Sequence, residues 1–180
     1  MKLKDIAKLV SATNEIRLSI VRGTQWIGNG YAAFPVFGLP ELDEDTAAAV
    51  LDFDEDKQEL INVQEADLES DFNMRDTDDD EEVLTAVLLR FLACGKTLDA
   101  WATATGQIII LDAAYTKALL AADKAQLYLR RTPSGREYVI GKSGMFVTAL
   151  IMPFAFEEKT AELLAINFTR LARAMGKIEN

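Results

Sequence analysis

Gly141-Lys142-Ser143 has the residue types of a phosphate-binding loop, in which backbone N–H groups and a lysine hold the phosphates of a nucleotide. That motif also needs a glycine five residues before Gly141, where this chain has Arg136, and it must open a helix. Here the motif joins two segments that have the pattern of strands. We therefore predict a β-turn at Gly141 to Gly144 and no nucleotide site.

Two runs of alternating aspartates have the spacing that begins a calcium-binding EF-hand loop, namely Asp52, Asp54 and Asp56, and Asp76, Asp78 and Asp80. An EF-hand loop needs glycine at its sixth position and a bidentate glutamate at its twelfth. The two runs have lysine or glutamate at the sixth position and valine at the twelfth. The sequence therefore predicts no specific calcium site.

Histidine is absent from the chain, and Cys94 is its only cysteine. Without histidine there can be no Ser-His-Asp or Cys-His catalytic pair and no histidine-ligated metal. One cysteine can form neither an internal disulfide nor a multi-cysteine zinc site, and no base accompanies Cys94, so a structural role is favoured for it. We expect a protein that is not an enzyme and that has no catalytic residues, no metal and no cofactor.

The composition is that of one or two soluble globular domains: 180 residues, 49% apolar and 27% charged, with a mean hydropathy near zero. The longest apolar stretches, such as residues 145–156, are too short and too interrupted to span a bilayer. The first residues are followed by an amphipathic pattern instead of a signal-peptide core. We expect a cytoplasmic protein with no membrane partner.

The charge is distributed unevenly along the chain. Residues 41–82, which we call the acidic segment, hold 19 acidic and two basic side chains. This is a local net charge of −17, which leaves +7 on the rest of a chain whose total is −10. The basic remainder favours an anionic partner, and the acidic segment is either a solvated loop or an intramolecular competitor for the same surface.

The first 40 residues predict one helix followed by three strands. Apolar residues at helical spacing from Leu3 to Val10, with Lys4 and Lys8 on the opposite face, predict a short amphipathic helix. Alternation over residues 16–21 and the turn residues Arg22-Gly23-Thr24 predict a hairpin. A third apolar run at 31–36 follows.

The acidic segment has weaker signals. Asp43 or Asp45 can cap a short helix through residues 47–51, whereas residues 64–82 have few apolar anchors and are predicted to be loose. Residues 83–92 suit either a buried strand or a helix begun by the acidic cap, and we predict a strand.

The second half predicts strands at 97–102 and 107–111, then a helix with Asp112 as its N-cap, then three more strands within 126–152. The helix carries Lys117 and Lys124 on the side opposite its apolar stripe. The element order, helix followed by three strands, thus occurs twice, and the two helix stripes superpose at an offset of 112 residues.

This repeat predicts one α+β domain over residues 1–156. Its halves are residues 1–40 and 83–156, with the acidic segment inserted between them. The alternative is an ordinary α+β domain with two unrelated hairpins.

Residues 157–180 predict a C-terminal amphipathic helix. Apolar residues recur at steps of three and four along a narrow seam, and the central ones are Leu164, Phe168, Leu171 and Met175. A seam of this kind packs either across its own sheet or against another copy of the chain. We expect it to be a packing or oligomer contact.

Several residues resemble motifs of the DNA sliding clamp, or processivity factor, superfamily. In bacterial clamps the last domain shows an Asn-x-x-Tyr-Leu helix start, where this chain has Asp112, Tyr115 and Thr116, with a later leucine at Leu120. Clamps also have a Val-Met-Pro-like final strand, where this chain has Ile151-Met152-Pro153. The twofold repeat and these motifs, over residues 3–36 and 107–153, resemble a single clamp domain.

The chain also looks similar to uncharacterised proteins of prophages and mobile elements of Gram-positive bacteria. This second resemblance rests on residues 25–30, followed by Ala32-Ala33 and Pro35.

The clamp resemblance implies a DNA-associated protein without enzymatic activity. In that family, helices line a ring around duplex DNA and contribute basic residues. The matching outward residues here are Lys4, Lys8, Lys117 and Lys124. One clamp-like domain per chain would form a ring only as a homo-oligomer. The alternative is a protein-interaction or regulatory module that keeps the fold without binding DNA.

Overall fold

A computed structural model of the chain describes residues 3–120 and 125–156, together with Thr160 and Leu164. This part of the chain is an α+β fold. Its helices are α1 (Leu3–Thr13), α2 (Ala47–Val50), α3 (Glu55–Gln58), α4 (Leu68–Asp71) and α5 (Ala113–Leu120). Its strands are β1 (Glu15–Val21), β2 (Thr24–Gly28), β3 (Ala32–Pro35), β4 (Asn62–Glu65), β5 (Glu82–Ala93), β6 (Lys96–Ala102), β7 (Ile108–Asp112), β8 (Ala125–Arg131), β9 (Glu137–Ser143) and β10 (Phe146–Ile151).

The strands form one mixed sheet of ten, in the order β4-β1-β2-β3-β10-β9-β8-β5-β6-β7. All pairs are antiparallel except β1 with β4, which run parallel. The order places β3 beside β10, so the sheet runs through β1-β2-β3 and then back through β10-β9-β8. Strands from both ends of the chain therefore meet in the middle of the sheet.

Most elements predicted from the sequence are confirmed. The first helix, the hairpin and the third strand lie where the pattern places them, and so do the helix and three strands of the second half. The ambiguous stretch 83–92 is a strand within β5. The first hairpin turns at Arg22 and Gly23, whose φ angles are 50° and 76°. Two successive positive φ angles define the tight turn that matches the twist of a hairpin, and a glycine at the second position suits it.

The β-turn predicted at Gly141 to Gly144 is wrong in its position, because the turn begins only at Gly144. Gly141, Lys142 and Ser143 all belong to β9, and the turn lies at Gly144 and Met145. Helix α5 approaches β9 closely at Gly141. A Cβ at position 141 would lie 2.3 Å from Leu119 Cδ2, so glycine there lets the Leu119 side chain pack against the strand without moving.

The two faces of the sheet are covered by different parts of the chain. Neighbouring residues of a strand point to opposite faces, and in β9 Val139 belongs to one buried cluster and Ile140 to the other. The Val139 cluster contains Ile6 and Val10 of α1 and also residues of α5, so we call this side the helix face. The Ile140 side is the opposite face.

The acidic segment packs on both faces. Leu42, Ala47 and Leu51 are buried in the cluster of the helix face, whereas Phe72 and Met74 are buried on the opposite face against Trp26 and Tyr138, among others. The prediction that residues 64–82 are loose is therefore wrong for this stretch. The run of charges suggested that the loss of chain entropy on ordering would keep this stretch unstructured. Two buried apolar side chains, strand β4 and helix α4 offset that loss.

No helix among the described residues is long and apolar enough to cross a membrane. The predicted C-terminal helix, with Phe168, Leu171 and Met175, lies outside the described residues. Leu164 is described as helical and partly buried.

Candidate functional site

Three of the four lysines predicted to bind DNA lie on two helices that contact each other, Lys4 and Lys8 on α1 and Lys117 on α5. Lys4 and Lys8 are exposed, and the four-residue spacing that brings them together also buries Ile6 and Val10 on the other side of α1. Lys117 is exposed on α5. Lys124 lies outside the described residues.

The structure brings Lys4 and Lys8 together and assigns Lys117 to a different cleft. Lys4 and Lys8 line a groove of about 350 Å³ between α1 and residues 50–53, which include Asp52. Lys117 lines a larger cleft of about 880 Å³ with Leu9 and Thr13 at the end of α1. Lys4 and Lys8 therefore face one side of α1, and Lys117 lies beside its other side.

The acidic segment reaches α1 at its C-terminal end as well. Lys57 Nζ donates to the carbonyl oxygen of Ser11 at 3.1 Å and to Asn14 Oδ1 at 2.5 Å. The Asp54 side chain caps α3 by accepting from the Lys57 N–H at 2.8 Å, which positions this lysine. One of the two basic residues of the segment therefore fastens it beside the predicted DNA surface.

On the opposite face, two buried cations hold the second part of the acidic segment. Arg130 of β8 has no exposed side-chain surface, and its Nη2 lies 2.5 Å from Glu81 Oε2. Its Nη1 donates to the carbonyl oxygens of Asn73 and Arg75, both at 2.8 Å. Lys142 of β9 donates to Glu81 Oε1 and to the Asp76 carbonyl, both at 2.6 Å. These contacts explain why a chain with so many carboxylates follows the sheet here.

The pKa of Asp78 is lowered within this cluster. Burial acts to raise it, but the N–H of Asp80, the Asn73 amide and the positive charges of Arg130 and Lys142 outweigh burial. The carboxylate is therefore held ionised. Charge and hydrogen bonds, in addition to the apolar anchors, fix residues 73–82 to the sheet.

A second charged cluster surrounds Lys96, at the start of β6. Its Nζ lies 3.0 Å from Asp112 Oδ2 and between 5.4 and 5.9 Å from the ring centroids of Tyr31, Tyr115 and Phe154. Burial by itself would lower the pKa of Lys96, but its hydrogen bond to Asp112 and the surrounding tyrosines raise the pKa above its ordinary value. Lys96 is therefore an ammonium ion at physiological pH.

Hydrogen bonds from other segments set the walls of the Lys96 cluster. The Asn29 amide, 2% exposed, donates to Tyr115 Oη at 3.2 Å, and its oxygen accepts from the N–H of Tyr31. Burial raises the pKa of Tyr115, although Asn29 and Lys96 act in the opposite direction. Asp112 caps α5 by accepting from the N–H of Ala114 at 2.9 Å, as the sequence predicts for an N-cap.

Two clefts meet at this cluster, the one of about 880 Å³ beside α1 and another of about 730 Å³ beside Pro153 and Phe154. Both are lined by Tyr31, Lys96, Asp112 and Tyr115. No group of three or more histidine, cysteine, aspartate or glutamate side chains within the described residues is arranged to hold a metal ion. The chemistry offered here is recognition by charge and aromatic contact.

Comparisons of the chain with protein-family models, with curated proteins and with solved structures found no match.

Sequence reasoning missed both charged clusters. Arg130 and Lys142 occupy inward positions of β8 and β9 on the same face, which the alternation could have indicated once the two strands were paired. Tyr31, Lys96 and Phe154 come from segments far apart in the chain, and no local pattern joins them.

Proposed function

We propose that this chain is a non-enzymatic, clamp-like DNA-associated protein of the cytoplasm, such as a phage accessory factor, whose α1 and α5 contact duplex DNA. The observation that carries the proposal is the strand order β1-β2-β3-β10-β9-β8, in which two sets of three strands meet at β3 and β10. Helix α1 precedes the first set and α5 precedes the second. This is the order expected of two related halves.

The contact between α1 and α5 supports the same proposal, because it brings two lysine-bearing helices onto one face of the sheet. Lys4, Lys8 and Lys117 are exposed and available to phosphates. Three or four lysines neutralise only a few phosphates, so a single chain binds weakly and without sequence preference. A homo-oligomer, as in a clamp ring, would multiply these contacts.

The experiment measures duplex binding between about 50 and 200 mM salt for the wild type and for a Lys4→Glu/Lys8→Glu variant. We expect a slope of about −0.9 in log affinity against log salt for each phosphate neutralised. The control is Arg22→Glu/Arg75→Glu, which changes the net charge equally at two other exposed positions. Binding that the two variants weaken equally, or that neither weakens, would remove α1 as the DNA surface.

Oligomeric state is tested separately, by light scattering of the full chain over a range of concentrations with and without duplex DNA. A clamp-like assembly predicts a defined oligomer that persists on DNA. A monomer at every concentration argues against a ring.

A protein-interaction module is the second candidate, and the hairpin of β5 and β6 favours it. Three residues of β5 between Ala86 and Arg90 stand opposite one residue of β6, which forms a bulge. Within it, Leu88 is 98% exposed and has a φ angle of 57°, and Leu92 further along is 76% exposed. Exposed leucines on a strained bulge are typical of contact surfaces.

This candidate predicts that a Leu88→Asn/Leu92→Asn variant loses association with a partner protein while Leu60→Asn keeps it. Leu60 is a matched control because it is 64% exposed and lies in another part of the chain. DNA binding that persists in the double variant would separate the two functions.

A further inference from the structure

The Lys96 ammonium group lies among three aromatic rings and one carboxylate. Its Nζ is 5.4 Å from the centroid of the Tyr31 ring, 5.8 Å from that of Tyr115 and 5.9 Å from that of Phe154. Asp112 Oδ2 forms an ion pair with it at 3.0 Å. Aromatic faces within about 6 Å of a cation, with an anion beside them, are the chemistry by which proteins recognise ammonium groups.

The walls of this cage are positioned by contacts that do not involve Lys96. Asn29 fixes Tyr31 and Tyr115, as described above. The N–H of Met152 donates to the carbonyl oxygen of Tyr31 at 2.7 Å, and the N–H of Phe154 donates to that of Ile110 at 2.8 Å. The cage is therefore built by the residue before β3, by β7, by α5 and by the segment after β10, whereas Lys96 is the first residue of β6.

The cage is also accessible. The Lys96 side chain is 37% exposed, and Tyr31 is 54% exposed. Because the clefts of about 880 and 730 Å³ both reach Lys96, a ligand chain lying in either one could present a cationic end to the rings. Lys96 follows directly on the β5–β6 turn, whose residues Cys94 and Gly95 have positive φ angles.

We propose that Tyr31, Tyr115, Phe154 and Asp112 form a binding site for an alkylammonium group, which Lys96 occupies as an internal ligand. The external ligand is the ammonium end of a lysine side chain, on a peptide that lies in one of the two clefts that reach Lys96. It competes with Lys96, so its apparent affinity is reduced by the small fraction of time for which Lys96 leaves the cage. The residues of the cage are not among the lysines predicted to bind DNA, although Lys117 lines the larger of the two clefts.

The test compares the full-length wild type with Lys96→Ala by titration with n-butylammonium, which copies the end of a lysine side chain. The NMR signals of the Tyr31, Tyr115 and Phe154 rings report binding. We expect the variant to bind n-butylammonium at least tenfold more tightly than the wild type, and to show no comparable response to the neutral analogue 1-butanol. Arg90→Ala is the matched control, because Arg90 lines the same cleft outside the cage and pairs with Asp99, and this variant should behave as the wild type.

Equal response of Lys96→Ala to the alcohol and the ammonium ion would show an apolar pocket only and overturn the proposal. Equal affinity of the wild type and the variant would show that Lys96 is not the occupant, which also overturns it.

A second measurement needs no substitution and decides the matter if Lys96→Ala does not fold. In the wild type, the ring currents should shift the ε-methylene protons of Lys96 upfield of those of Lys117. Added n-butylammonium should move them back towards the Lys117 position. Lys96 signals that coincide with those of Lys117 from the start would overturn the proposal.

Discussion

Arg130 and Glu81 form an ion pair that joins strand β8 to the end of the acidic segment. The Arg130 side chain has no exposed surface, that of Glu81 is 18% exposed, and the closest nitrogen and oxygen are 2.5 Å apart. The same carboxylate accepts from Lys142. One glutamate thus pairs with both buried cations, and the ionised Asp78 nearby supplies the second negative charge that their burial needs.

Glu81→Gln should therefore be strongly destabilising. The substitution leaves Arg130 and Lys142 buried beside a neutral amide, and breaking such a buried pair costs about 3–5 kcal/mol. Urea unfolding measures the loss. Glu82→Gln is the control, because its partner Arg131 is 38% exposed and such pairs contribute about 0–1 kcal/mol. Similar losses in both variants would contradict the role given to Glu81.

Asp78 should make stability depend on acid. Its pKa in the folded chain is lowered from the ordinary 3.8, so its contribution is fully present above pH 3.8 and is lost as the pH falls through the lower folded value. The melting temperature of Asp78→Asn should thus be lower than that of the wild type at pH 6. The two should converge as the pH falls below 3.8. A constant difference across this range would mean that the folded pKa is not lowered.

Residues 72–74 should be protected from hydrogen exchange. The N–H of Asn73 donates to Tyr138 Oη at 3.0 Å, and Tyr138 is itself fully buried. Tyr138→Phe removes this acceptor and should speed exchange at Asn73, as measured by NMR. Tyr128→Phe serves as the control, since it keeps a ring beside Lys142. Fast exchange at Asn73 in the wild type would restore the expectation that this stretch is loose.

Leu88→Gly should stabilise the chain or leave its stability unchanged. A leucine at φ 57° carries a strain of about 1–2 kcal/mol that glycine does not, and a side chain that is 98% exposed buries almost nothing in return. The greater freedom of glycine in the unfolded chain offsets part of this gain. Leu84→Ala in the same strand, fully buried, should cost about 2–5 kcal/mol. Thermal unfolding distinguishes the two, and a marked loss in Leu88→Gly would show that this leucine is packed.

Local patterns predicted the elements of both halves because each has its own periodicity and its own turn residues. The sequence pattern favours a strand over a helix at residues 82–93. It does not predict the bulge in this strand, because the bulge depends on how β5 pairs with β6. The order of residues 64–82 cannot be predicted from local pattern, because Phe72 and Met74 are isolated among acidic residues in the sequence. Their stabilising contribution depends on the apolar patch around Tyr138, which they contact only in the folded chain. Lys4 and Lys8 could be paired by their spacing. Their separation from Lys117 could not be predicted from spacing, because it depends on how α5 packs against α1.

Strand β4 has a consequence for any attempt to remove the acidic segment. It lies at the edge of the sheet, is only four residues long, and shields β1 through parallel pairing. Excision would leave the backbone donors and acceptors of β1 unpaired along a strand rich in isoleucine and leucine, which is a template for joining other chains. A shortened protein would therefore have an exposed edge strand that favours aggregation. Any gain in its apparent affinity for a polyanion would have to be distinguished from this aggregation.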